Sequence, residues 1–219
     1  MPRTASMVAP RNWKDADRVE ATREFLSQPP PRRAAIRDLM TELLSPDPFA
    51  SRYAADLARR VSAREPGILR RHADVLIGLA AEIPREQWPA RGYVTLAAAL
   101  NARTHGQRMR LAPLVRAMVE DERIALRAIA LEAFAILAQA EPELRDEVLI
   151  LLERSRRAPE PAVRCRALRM LPQLLAAEIE TRSRSAIRRP ERRGRMSLQG
   201  TGAGPTRSSR RCARPQISG

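Results

Sequence analysis

Histidine and serine, which often supply catalytic or metal-binding groups, form no recognisable site in this sequence of 219 residues. The histidines His72 and His105 have no cysteine or acid at a metal-ligand spacing such as HExxH. No GxSxG nucleophile elbow occurs, and "GTGAG" at 200–204 lacks the preceding strand and following helix of a phosphate-binding loop. We therefore expect no catalytic residues, no metal and no cofactor, and a protein that is not an enzyme.

Cysteine chemistry is equally limited. Cys165 and Cys212 lie far apart, without a CxxC motif or a second pair, which fits a reducing compartment. The first ten residues lack the apolar core of a signal peptide, and the longest strongly apolar run, "VLILL" at 148–152, is too short to cross a bilayer. We expect a soluble cytoplasmic protein without membrane contact, in which Cys165 fills space on the outer side of a helix and is not a nucleophile.

Arginine is the remaining candidate, because its guanidinium group binds phosphate in a bidentate manner. The net charge is +15, but the segment from Arg182 to Gly219 holds eleven arginines and one acid, Glu191. Residues 179–219 lack apolar periodicity and are predicted to be a disordered basic tail. This tail is a nucleic-acid arm, a flexible partner-binding segment or an extension without function. An arm would contact phosphate through Arg188, Arg189, Arg192, Arg193, Arg210 and Arg211.

The elements that would position such groups are helices. Aromatic residues are only 3% of the chain, while alanine, leucine and arginine dominate, which favours helices over strands. In "ALRAIALEAFAIL" at 125–137, small or apolar residues occur at offsets 0, 4, 7, 8 and 11, which lie on one helix face. The same template begins at Ala50, Pro89, Leu126 and Val163, at spacings of 39, 37 and 37 residues. We call the helices that carry it the stripe helices.

A second apolar helix, differently phased, follows each of the first three stripe helices, around 69–79, 111–118 and 144–152. Each stripe helix is therefore expected to open a helical hairpin with the helix after it. Residues 14–27 and 32–44 are predicted to form one more, degenerate hairpin, as at many solenoid ends. The sequence thus predicts an all-α superhelix of about four to five hairpins over residues 13–178. A flexible segment, residues 1–12, would precede it.

This repeat resembles the HEAT repeat, with its pattern of a hydrophobic residue, arginine and spaced small or apolar positions. The pattern is carried by Leu126, Arg127, Ala130 and Leu137, and by Val163, Arg164, Ala167, Leu171 and Leu174. In the first two copies Arg52 and Arg91 stand one position late, so these copies rest on the stripe and the period. The resemblance covers about residues 45–178 and implies a right-handed stack with a concave face. It also implies that Arg127 and Arg164 pair with acids of neighbouring repeats; the alternative is a row of phosphate contacts.

The function implied by the resemblance is a class and not an activity, because such folds serve many ends. We expect a monomeric, non-enzymatic scaffold that binds a protein partner on its concave face, formed by the second helices of the hairpins. The alternative is a binder of nucleic-acid backbones, such as a relative of the HEAT-like DNA glycosylases of alkylation repair. Those enzymes use aromatic and acidic residues on the concave face. Only Trp13, Trp88, Tyr53 and Tyr93 could serve here, and none matches a motif of that family.

Overall fold

The computed structural model describes residues 15–29 and 32–187, and in these ranges the chain is helical without any strand. The prediction of an all-α fold is confirmed. The α-helices are α1 (Asp15–Ser27), α2 (Arg33–Leu43), α3 (Pro48–Arg64), α4 (Ala73–Glu82), α5 (Trp88–Asn101), α6 (His105–Val119), α7 (Ile124–Ala140), α8 (Arg145–Ser155) and α9 (Pro161–Ile187). Short 3-10 turns at Arg70–His72, Arg85–Gln87 and Pro142–Leu144 lead into α4, α5 and α8.

Two helices, α3 and α6, start at residues that satisfy the first N–H groups of a helix or lack such a group. The Asp47 carboxylate accepts a hydrogen bond from the Phe49 N–H at 3.0 Å, and Pro48 takes the first position of α3. At α6, Thr104 and Gln107 form a reciprocal capping box, with the Gln107 N–H 3.1 Å from the Thr104 hydroxyl. These local signals set the spacing between successive helices.

The helices pack in two sets. The stripe helices α3, α5, α7 and α9 contact one another in chain order, and α2, α4, α6 and α8 each pack on the stripe helix that follows. The stripe helix therefore pairs with the helix before it, whereas we expected it to pair with the helix after it. Helices α3 and α5 run in the same direction, since the Asn101 amide near the end of α5 donates to the Ser62 hydroxyl near the end of α3.

The core consists of leucine, alanine and a few aromatic side chains from both sets. In α7 the whole predicted stripe is at most 2% exposed: Leu126, Ala130, Ala133, Phe134 and Leu137. Small residues let the stripe helices approach closely. A Cβ atom added to Gly92 of α5 would lie 2.9 Å from the Leu126 Cδ1 atom of α7, so a larger residue would push these helices apart.

In α5 the buried face is shifted from the predicted one. The template placed Tyr93 and Leu100 on the stripe, but both are only half-buried, whereas Val94 and Asn101, one residue later, are fully buried. The cause is the run of alanines at 97–99, which can pack in either phase. This shift gives Arg91 the same relative place as the arginine of the later copies.

Two further observations concern the ends of the chain. Helix α9 continues to Ile187, into the segment predicted to be a disordered tail, and it contains Pro172, which is exposed. Residues 1–14 and 188–219, with the predicted flexible start and most of the predicted tail, lie outside the described residues. Among the helices of the described ranges, none has both the length and the apolar character needed to cross a membrane.

Candidate functional site

The two arginines of the repeat pattern both make internal contacts. The Arg127 Nη2 atom donates to the Glu160 carboxylate at 2.6 Å, which links α7 to the residue directly before α9. The pKa of Glu160 is held below its usual value, first by its own backbone N–H and then by Arg127. Arg164 instead donates to the carbonyl oxygens of Ala158 and Pro159, at 2.9 and 3.4 Å. Arg127 thus pairs with an acid next to the neighbouring stripe helix, as the resemblance implies, whereas Arg164 contacts backbone carbonyls instead of an acid.

Other arginines have the same kind of role at helix ends. Arg32 donates to the carbonyls of Leu26 and Gln28, both at 2.9 Å, and Arg145 donates to those of Ala138 and Gln139, both at 3.1 Å. The last carbonyls of a helix have no donor within the helix and carry partial negative charge, so a cation stabilises them. Much of the arginine in the folded chain is therefore structural.

His105 belongs to an ion cluster at the end of α7. Its Nδ1 atom lies 2.8 Å from one oxygen of Glu141, and the Arg108 Nε atom donates to the other oxygen at 2.5 Å. Burial alone would raise the pKa of Glu141, but these two hydrogen bonds hold it below its usual value. The hydrogen bond to Glu141 in turn raises the pKa of His105. This cluster joins α6 to the turn before α8.

Within 15–29 and 32–187, no His, Cys, Asp and Glu side chains form a group that could hold a metal.

Two stripe helices carry a carboxylate at the same relative position, six residues into the first and third copies of the template. Asp56 of α3 is 2% exposed and accepts hydrogen bonds from Arg59 at 2.5 Å and Arg60 at 2.9 Å. Glu132 of α7 accepts hydrogen bonds from Arg166 and Arg169 of α9. Both carboxylates are therefore engaged by arginines, and each holds those guanidinium groups in place.

Tyr93 of α5 completes this surface. The Arg59 guanidinium lies over the Tyr93 ring, 5.0 Å from its centroid, in the geometry of a cation–π contact. Burial lowers the pKa of Arg166, and the positive charges of Arg169 and Arg59 add to that effect while Glu132 opposes it. Side chains of the first and last stripe helices thus influence each other across α5 and α7. We define the stripe face by Arg59, Tyr93, Glu132, Arg166 and Arg169.

The remaining aromatic candidates lie elsewhere. Trp88 is half-buried at the start of α5, and Tyr53 is half-buried against the core, where burial raises its pKa. Trp13 and all six tail arginines named above lie outside the described residues. Tyr93 is thus the candidate aromatic on the stripe face, and Glu132, the carboxylate of that face, accepts hydrogen bonds from Arg166 and Arg169.

Cys165 is exposed on α9 as a free thiol. Its counterpart one repeat earlier, Ala128, is 5% exposed and part of the core. The difference arises because no further stripe helix follows α9 in the described chain to cover this position.

Comparisons with protein-family models, with curated proteins and with solved structures give no match for this chain. The function is therefore argued from the contacts, burial and charges of its own side chains.

Proposed function

We propose that this chain is a non-enzymatic α-solenoid of HEAT-like hairpins that binds a protein partner on the stripe face. The packing supports a curved stack with this face on the inside. The stripe helices contact one another extensively along the series, whereas α4 and α6 pack less closely and α6 and α8 show no comparable contact. Rows on the inner side of a curved stack lie closer together than rows on the outer side. This packing supports a concave surface on the stripe helices, in place of the helices that follow them, where we expected it.

One observation carries the proposal of binding rather than catalysis: the arginines of the stripe face are already paired with carboxylates, Asp56 and Glu132. Tyrosine and arginine are the residue types that contribute most to protein interfaces. Here Arg59 is fixed by Asp56, and Arg166 and Arg169 are fixed by Glu132. Side chains that are ordered before a partner arrives lose little entropy on binding. A tyrosine among positioned arginines suits a protein surface that offers carboxylates and apolar groups.

A second candidate, a binder of nucleic-acid backbones, is favoured by the excess of arginine over acid on this face. Phosphate contacts would give an affinity that falls steeply with salt, in proportion to the number of phosphates neutralised. The pairing of Asp56 and Glu132 with arginine reduces this excess. We therefore rank protein binding first.

Site-specific crosslinking on the full-length chain tests the proposal. A photo-crosslinking amino acid replaces Arg169 on the stripe face or, as the matched control, Ile150 of α8, which is 72% exposed in the other set of helices. We expect nuclease-resistant protein adducts from position 169, and their loss in a chain that also carries Tyr93→Ala. Adducts that nuclease removes would support the second candidate. Equal adducts from both positions, or adducts from position 150 alone, would refute the assignment of the binding face.

A further inference from the structure

A groove lies in the other set of helices, between α2 and the turn that leads into α4. Its volume is about 650 Å³, and one wall is the exposed side of α2. The opposite wall is the segment from Glu65 to His72. The groove exists because α2 and α4 do not pack on each other as α4 and α6 do. We call it the arginine groove.

The floor of the arginine groove is apolar. Ile36, Met40 and Leu44 lie four residues apart along α2 and at its C-cap, and they line the groove together with Ile68 from the opposite wall. Met40 is 7% exposed, whereas Leu44 at the end of α2 is 60% exposed. An apolar side chain that is this open, beside an apolar floor, offers burial to an incoming apolar group.

The rim of the groove is strongly basic. Six arginines line it against a single carboxylate, that of Glu65, and Arg32 already pairs with Glu65 at 3.0 Å. Arg33, Arg70 and Arg71 are exposed and form no ion pair with the described part of the chain. This arrangement differs from the stripe face, where Glu132 pairs with both Arg166 and Arg169.

We propose that the arginine groove binds an acidic amphipathic segment of a protein partner, with its apolar side chains on the floor and its carboxylates on the rim. Charge complementarity selects the occupant, because the single carboxylate of the rim, Glu65, is already paired with Arg32 and the rim stays positive. The apolar floor favours a peptide over a nucleic acid, and the described residues that line the groove include no phenylalanine, tyrosine or tryptophan for base stacking. The chain's own tail is itself strongly basic and would be repelled. This inference is independent of the stripe face, which belongs to the other set of helices.

The test uses the full-length chain and a short synthetic peptide of glutamate, leucine and alanine whose leucines recur at helical spacing. A peptide of the same composition in shuffled order and a single-stranded oligonucleotide serve as comparison probes. The double variant Arg70→Glu/Arg71→Glu reverses two exposed rim charges. Arg154→Glu/Arg157→Glu makes the same charge change at exposed arginines away from the groove. Leu44→Asn removes the open apolar contact and leaves the charge unchanged.

We expect the amphipathic peptide to bind better than the shuffled one, and the rim variant to weaken its binding about tenfold. Leu44→Asn should weaken it about fivefold, and the Arg154/Arg157 control should change it little. All variants should keep the helical circular dichroism of the parent. Four results would overturn the inference: no binding of the peptide, equal binding of the shuffled peptide, tighter oligonucleotide binding that depends on the rim, or self-association of the chain that the rim variant abolishes.

Discussion

The most direct test of the packing is a single buried amide, that of Asn101. Its Oδ1 atom accepts a hydrogen bond from the Leu69 N–H at 2.8 Å, and its Nδ2 atom donates to the Ser62 hydroxyl and to the Ala97 carbonyl, both at 2.8 Å. Asn101, Ser62 and Leu69 are all fully buried. One side chain therefore joins α3, α5 and the chain segment that leads into α4.

Replacing Asn101 with alanine should cost about 3 kcal/mol of unfolding free energy. The Leu69 N–H would lose its acceptor at a buried position, which costs about 1–3 kcal/mol. The lost partner of the Ser62 hydroxyl and the small cavity add roughly 1 kcal/mol. The total is a large part of the stability of about 5–15 kcal/mol that is usual for a domain.

Urea unfolding of the full-length chain, followed by circular dichroism, measures this loss. With a denaturant slope of about 2 kcal/mol/M, the midpoint should fall by roughly 1.5 M. Gln173→Ala, at an exposed position of α9, is the control and should change stability by less than about 0.5 kcal/mol. In a cycle with Ser62→Ala, the double variant should lose less than the sum of the single losses. A loss below about 0.5 kcal/mol for Asn101→Ala, or strict additivity, would show that this network does not join the helices.

Three further predictions concern the turns and ion clusters. Gly67→Ala should lower the free energy of unfolding in urea by about 1–2 kcal/mol, because φ at Gly67 is +88° and the added Cβ would meet the Arg103 guanidinium. Gly78→Ala should instead stabilise α4 by up to about 1 kcal/mol, because the space around Gly78 is open. The pKa of His105 is raised in the folded chain, so its charged pairing with Glu141 stabilises the fold below a pH of about 6.5. This stabilisation is lost as the pH rises through the pKa of the folded state. The difference in urea midpoint between the parent and His105→Gln should therefore shrink from slightly acidic to alkaline pH. Glu132→Gln should cost about 1 kcal/mol, less at high salt, because it leaves two arginines unpaired beside a third; Glu153→Gln, at an exposed pair, should have almost no effect.

The sequence allowed the prediction of the helices and of the buried stripe in α7 and α9, because apolar residues there recur on a single face. It did not determine which face of α5 is buried, because the three consecutive alanines of this helix can pack on either of two neighbouring faces. Only the position of Arg91 indicated the face that is buried in the structure. It also did not show which neighbour a stripe helix prefers. Periodicity identifies a buried face and not the element that covers it.

Most of the stripe face was not predicted, because its contacts join residues more than thirty positions apart. One signal was present: Asp56 and Glu132 are acids at the same relative position in two copies of the template. The partners of Asp56 stand three and four residues after it, a spacing that brings side chains together on one helix. The partners of Glu132 are 34 and 37 residues away and could not be identified, since a guanidinium on a long side chain can reach many acids. The arginine groove was likewise hidden, because it depends on a gap between α2 and α4 that no local pattern encodes.

The two proposed surfaces should respond differently to salt. On the stripe face each arginine pair already has a carboxylate partner, so a bound protein would replace few counterions and its affinity should fall only gently as salt rises. In the arginine groove the rim charges are open to solvent within one Debye length of each other, so screening should remove most of the attraction for an acidic peptide. The apolar contact at Leu44 would persist in high salt and set the residual affinity. A salt titration of each interaction therefore distinguishes the two surfaces. A partner that binds the stripe face should be insensitive to salt and to Arg70→Glu/Arg71→Glu. A partner that binds the arginine groove should be sensitive to both.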